Sequence, residues 1–259
     1  MAPETILLAL AAGGVIGIIL GLVGGGGSIL AVPLLVYVVG VESTQAAIGT
    51  AAVAVAANAL IGVGGHARGG TVKWRCALAF AGAGMVGAAM GAEIGKAFDG
   101  ARLLLLFGLL MIGVGVMMFR PRKSAPDPDV RLTRDSAAIL LPRLLPAGLG
   151  VGLAAGFFGI GGGFLIVPAL MAATHMPLRY AVGTSLVVVA ALGFTTAASY
   201  ALSGYVDWPL TGLLIAGGGA GSMLGILAGR KLSAHKNLLD RLFALVVIGA
   251  GIYVVVRGV

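Results

Sequence analysis

Apolar residues in this chain fall in long continuous runs, not in the short alternation that marks half-buried strands or amphipathic surface helices. Crossing the hydrocarbon core of a bilayer takes about 20 apolar residues in a helix. Runs of that length occupy residues 4–24, 45–66, 72–95, 101–119, 139–159, 179–202, 206–229 and 238–256. Two shorter apolar pieces, 29–39 and 164–174, each follow a glycine cluster and are predicted to be half-helices. One polar stretch, RPRKSAPDPDVRLTRD at 120–135, carries prolines and both charge signs and reads as an exposed linker. The pattern predicts an all-α polytopic membrane protein in two parts. Residues 1–119 form a first transmembrane repeat, 120–138 a linker and 139–259 a second repeat.

Composition narrows the class further. Charged residues make up 10% of the chain, where a soluble domain carries about 25%, so a soluble enzyme and a disordered chain are both excluded. The 45 glycines lie inside apolar runs, as in packed membrane helices. The excess of 17 Lys+Arg over 9 Asp+Glu sits between those runs. That is the pattern of membrane loops, and no nucleic-acid partner is expected. Cys76 is the one cysteine, which leaves no intrachain disulfide and no thiolate metal site. The N-terminal residues Met1, Ala2, Pro3 and Glu4 lack the basic segment of a cleavable signal peptide, so the first run is expected to stay.

The two parts repeat one another. At an offset of 135, GLVGGGGSILAVP beginning at Gly21 lies over GFFGIGGGFLIVP beginning at Gly156. At an offset of 134, Gly49-Thr50 meets Gly183-Thr184, Trp74 meets Trp208, and Gly87, Gly91 and Gly95 meet Gly221, Gly225 and Gly229. Loop charge then sets orientation. Arg68, Lys73 and Arg75 flank one connection whose counterpart near Asp207 has no basic residue, while the connection from Arg230 to Arg241 is more basic than its counterpart after Lys96. Under the positive-inside rule, corresponding elements face opposite ways. Two inverted repeats of about five helical segments each are predicted, with the linker cytoplasmic and both termini outside.

Glycine clusters at the same place in inverted repeats point to a midplane binding site. The first comprises Gly24, Gly25, Gly26, Gly27 and Ser28, the second Gly159, Gly161, Gly162 and Gly163. Glycine lets the helix break and bares backbone N–H groups, and the half-helix that restarts offers the positive end of its dipole to an anion. Close helix packing is the bland alternative. Recurrence in both halves, with Val32-Pro33 and Val167-Pro168 following, favours the binding reading.

These residues resemble the TauE/SafE sulfite exporter family, also called toluene sulfonate uptake permeases. The resemblance rests on the duplicated G-x-x-G-G-G-G-x-x-x-x-V-P element and on the A-x-G-T starts of the following helices, Ala47 to Thr50 and Ala181 to Thr184, and it covers essentially the whole chain. It implies an exporter of small sulfur anions, sulfite or C2 organosulfonates, in the cell inner membrane, with lipid around it and no cofactor. The physical reading gives a small anion only, so a permease for a carboxylate or inorganic anion is the alternative. Gly24 to Ser28 and Gly159 to Gly163 differ in order, so the half-sites are not expected to contribute identically.

Few other polar residues enter the spans. Thr50, Thr184 and Ser185, placed in first turns, either bond an oxyanion or bond back to their own helices. Asn58, facing Leu192 in the repeat, either lines a cavity or bonds between helices. Thr195, Thr196 and Ser199 form a secondary candidate path. His66, His175 and His235 share no metal-ligand spacing, and neither a metal site nor a catalytic constellation is expected. Glu93 and Lys96 are expected to pair, Trp74 and Trp208 to anchor at the interface, and Gly217, Gly221, Gly225 and Gly229 to pack a helix closely.

Overall fold

A computed structural model describes residues 3–118, 130–159, 163–231 and 236–258. Among these, α1 covers Pro3–Val23, a 3-10 helix Gly24–Leu30, α2 Ala31–Leu34 and a π-helix Leu35–Val39. The rest of the first half is α3 Thr44–Arg68, α4 Trp74–Ala97 and α5 Gly100–Met118. The second half holds α6 Arg134–Phe158, α7 Gly163–Thr174, α8 Leu178–Leu202, α9 Trp208–Lys231 and α10 Lys236–Gly258. No strand occurs among the described residues, and seven helices are long and apolar enough to cross a membrane.

Two boundaries differ from the sequence expectation. The first glycine cluster is itself 3-10 helix and turns back on α1, and Leu30 keeps αR angles (φ −89, ψ −9) as the chain passes into α2. Helix α6 starts at Arg134, inside the expected linker, because Thr133 and Ser136 form a capping box that supplies acceptors to the first turn. It also carries Pro142 and Pro146 without ending. The last span, expected at 238–256, lies within α10, Lys236–Gly258.

Glycine stripes dictate the tightest packing. Helix α1 lies on α9, and α6 lies on α4. A Cβ added at Gly13 would sit 2.6 Å from the Leu214 carbonyl oxygen, and one at Gly148 would sit 2.5 Å from that of Phe80. The contacts continue with Gly17 on Gly218 and Gly21 on Ser222, matched by Gly152 on Gly84 and Gly156 on Ala88. The returning stripe behaves alike: Gly221 and Gly225 meet the carbonyls of Gly14 and Ile18, and Gly87 and Gly91 those of Leu149 and Leu153. Every contact maps onto its partner at the offsets of 135 for the first helices and 134 for the others. The expected close packing of Gly217, Gly221 and Gly225 is therefore present.

The same contacts give helix directions. Numbering rises together along α1 and α9 and along α6 and α4, so each of these pairs is parallel. Gly65 of α3 packs on Ile226 and Asn58 on Leu214, which sets α3 parallel to α9. Gly193 of α8 meets Ala56 whereas Gly62 meets Leu186, so α3 and α8 are antiparallel, as are α5 and α10 through Gly108 with Gly251 and Gly115 with Ile248. Lys96 of α4 bonds Ser203 and Gly84 meets Leu192, which sets α4 parallel to α8. Each of these long helices thus runs antiparallel to its counterpart. One end of the bundle gathers Arg68, Lys73, Arg75, Arg131, Arg134 and Arg179; the other carries Glu4, Glu42, Asp99 and Asp207 with Lys96, Arg102 and Arg257.

Candidate functional site

The segments that follow the two glycine clusters meet inside the bundle. Gly24–Leu30 packs against α7 and α8 and folds back on α1. That return requires glycine at Gly27, where a Cβ would lie 2.7 Å from the Ile16 carbonyl oxygen and 2.9 Å from the Leu20 Cα. Ser28 is fully buried there. Across from it, Gly163 is buried as the first residue of α7, a helix long enough to present N–H groups without intrahelical acceptors.

The clusters are not alike. Gly24, Gly25, Gly26, Gly27 and Ser28 continue as 3-10 helix, which spends their N–H groups on i−3 carbonyls once past the first turn. In the second half α6 ends on Gly159 in the left-handed region (φ 66), the conformation glycine adopts without a Cβ penalty. A Cβ at Gly159 would also strike Ile48, with that residue's Cβ 2.8 Å away. Gly161 and Gly162 lie outside the described residues. α1 thus breaks off at the first cluster, which turns back on it as 3-10 helix, and α6 stops at a left-handed Gly159 in the second.

Thr50 and Thr184 do something the sequence reading missed. Each is the seventh residue of its helix, one turn later than expected. The Thr50 hydroxyl accepts the backbone N–H of Asp207 at 3.1 Å, and the Thr184 hydroxyl accepts that of Lys73 at 3.0 Å. Beside them, Gly49 lies against the Tyr205 carbonyl and Gly183 against Thr71, whose carbonyl oxygen would be 2.8 Å from an added Cβ. Each A-x-G-T element thus clamps the connection entering the fourth helix of the opposite half. Glycine admits the loop, and threonine satisfies an N–H that the start of a helix leaves without a partner. The antiparallel register of α3 and α8 sets the two threonines roughly 20 Å apart along the bundle at 1.5 Å per residue, so they do not converge on one ligand. A signal for the clamp was present, since the bonded loop residues Lys73 and Asp207 also correspond at the offset of 134.

Asn58 bonds between helices: its Nδ2 donates to the Leu214 carbonyl at 3.3 Å, and its side chain lies over Gly218. Ser185 is fully buried and donates to Val182 O at 2.8 Å. Thr195 and Thr196 donate back to Ala191 and Leu192 of their own helix. Glu93 and Lys96 pair at 2.8 Å. The pair also ties α4 to α8, because Lys96 reaches Ser203 Oγ at 2.9 Å and the Ser199 hydroxyl donates to Glu93 at 2.8 Å. Trp74 and Trp208 are exposed at the first residues of α4 and α9. Among the described residues no three His, Cys, Asp or Glu side chains converge as a metal site would require.

Comparison with known proteins bears on the whole chain. The family model described as "Sulfite exporter TauE/SafE" matches residues 9–254. A "Probable membrane transporter protein" of Xylella fastidiosa (strain 9a5c) is 48% identical over 263 residues, covering 99% of this chain and 97% of the relative. The "Probable membrane transporter protein YunE" of Bacillus subtilis (strain 168) is 29% identical over 256 residues, with 91% and 94% covered. No solved structure gives a significant match.

Proposed function

The chain belongs to the TauE/SafE sulfite exporter family of membrane transporters, and from that premise we propose that it exports sulfite or a C2 organosulfonate across the cell inner membrane. The observation that carries this is the packing of Gly24–Leu30 on α7 around the fully buried Ser28. An anion held there meets the positive end of α7 without a buried arginine. We place Gly24, Gly25, Gly26, Gly27, Ser28, Gly159, Gly161, Gly162, Gly163 and Ser185 at this site. Thr50, Thr184 and Asn58 act around it, by holding helices in place. Cargo crosses without chemical change.

We also propose that residues 1–119 and 139–259 are inverted repeats joined by the 120–138 linker on the cytoplasmic side, with both termini outside. The antiparallel course of equivalent helices supports the inversion, and the arginine-rich end of the bundle supports the assignment of sides. A permease of the same fold for a carboxylate or inorganic anion is the competing reading. A thermal-shift screen of the purified chain separates them: sulfite or sulfoacetate should raise Tm saturably, acetate and chloride should not, and Gly26→Val should abolish the response. A larger shift with the carboxylates would transfer the function to the competitor.

A further inference from the structure

Two buried polar atoms in the middle of the bundle stand without a hydrogen-bond partner: Oδ1 of Asn58 and Oγ of Ser222. Their residues are 1% and 0% exposed, so water at the surface does not serve them. A buried polar group left unsatisfied costs about 1–3 kcal/mol. Hydrocarbon supplies no replacement partner.

The two atoms belong to one place. Asn58 lies over Gly218 of α9, with its Oδ1 2.9 Å from where a Cβ would stand. Ser222 is one turn farther along the same stripe of α9, about 5–6 Å on. The next residue of that stripe, Ile226, faces Gly65, seven positions along α3 from Asn58. Ser222 therefore lies on α9 between those two contacts with α3, where its carbonyl also meets Gly21 of α1.

The chemistry of the place follows from the orientation of the amide. Leu214 O, a carbonyl, accepts only, so the amide nitrogen must face it, as the 3.3 Å bond records. That leaves Oδ1, an acceptor with no donor capacity, aimed into the α3–α9 contact. Serine adds a second oxygen. A fully ionised sulfonate or sulfite is repelled by such a group. A hard cation is attracted, because it takes carbonyl, amide and hydroxyl oxygens as ligands. The second half shows that the fold does not need this polarity: Leu192 fills the slot of Asn58, its Cδ1 2.8 Å from a Cβ added at Gly84, and Ala88 stands where Ser222 does.

We propose that Asn58 and Ser222 are ligands of a single buried Na⁺ between α3 and α9, present in the first-to-second-half pairing and absent from its counterpart between α8 and α4. The site rests on the oxygen set and not on the identity of the transported anion. Its test uses the full chain purified in detergent, with no substrate anion, in NaCl, KCl or choline chloride at equal ionic strength. A ligand that binds only the folded state raises Tm with concentration. The expected result is a saturable rise in Tm with NaCl over choline chloride, a smaller one with KCl, and loss of the Na⁺ response in Asn58→Leu, which copies the residue the other half already packs. Ser222→Ala should shift the Na⁺ midpoint upward at least tenfold, and it decides the matter should Asn58→Leu fail to fold. Equal Tm in the three salts, or an undiminished Na⁺ response in Ser222→Ala, would overturn the proposal and leave a trapped water as the partner of the amide. Sulfonate binding measured in choline salts stands apart from this, so a missing cation site and a mistaken anion reading give different results.

Discussion

The two halves of the bundle agree wherever helices must touch and disagree wherever chemistry is on offer. Their glycine stripes meet equivalent carbonyls, and their threonines at 50 and 184 clamp equivalent N–H groups. By contrast, Asn58 faces Leu192, Ser222 faces Ala88, and Ser28 faces Gly163 across the repeat. Packing is specified twice because a Cβ in any stripe position drives two backbones apart, so each half is held to the same shape. A ligand needs its polar groups once. The polar side chains on offer are therefore one-sided, and the glycine turns differ too: a 3-10 helix folded back on α1 in the first half, a left-handed Gly159 at the end of α6 in the second.

The largest expected effect is all-or-none and concerns direction. Gly69 and Ser203 occupy equivalent turns at opposite ends of the bundle. In sealed cells an impermeant thiol reagent should label Ser203→Cys and leave Gly69→Cys untouched. Labelling of both from outside would end the equivalence of inverted halves.

Next come the stripes. Gly17→Leu and Gly152→Leu place bulk against the carbonyls of Gly218 and Gly84, and both should eliminate the monodisperse peak in size-exclusion chromatography. Survival of one variant alone would show that the two interfaces are not equivalent in tightness.

The clamps give the smallest effects. A hydroxyl accepting one backbone N–H contributes about 1 kcal/mol. Thr50→Val and Thr184→Val should each lower Tm by a few degrees, by similar amounts, and the double variant should be additive, since sites this far apart seldom couple. A fall of sulfonate affinity in Thr50→Val with Tm unchanged would return that residue to the binding site.

How much of this was readable in the chain depends on the distance over which each feature is encoded. Spans and stripes are local patterns, and the repeat is a comparison of two stretches, so hydropathy, Gly217, Gly221 and Gly225, and the match of Trp74 to Trp208 carried them. The Glu93 and Lys96 pair is three residues apart and was read correctly, but its ties to Ser199 and Ser203 on α8 were not, because nothing local brings α8 to α4. For the same reason the clamps of Thr50 and Thr184 were not legible, and only an oxyanion or a back-bond to the same helix stood as readings. Their partners lie 157 and 111 positions away, and a hydroxyl in an apolar helix has no local feature that tells which distant N–H will reach it. The first glycine cluster turns back on α1 as expected of a broken helix, but its 3-10 form was not legible, since four glycines permit many turns and the contacts with α1 and α7 select one.

The proposed passage of an anion past Gly24–Leu30 and α7 is most directly tested in proteoliposomes with pH and membrane potential clamped separately. No Asp or Glu lies deep in a described long span, so flux of sulfoacetate should follow the potential, worth about 2.3 kcal/mol per charge per 100 mV. It should ignore a pH gradient at zero potential and fall severalfold in Ser28→Ala. Flux driven by a pH gradient alone, or full sulfoacetate flux in a well-folded Ser28→Ala protein, would contradict the account.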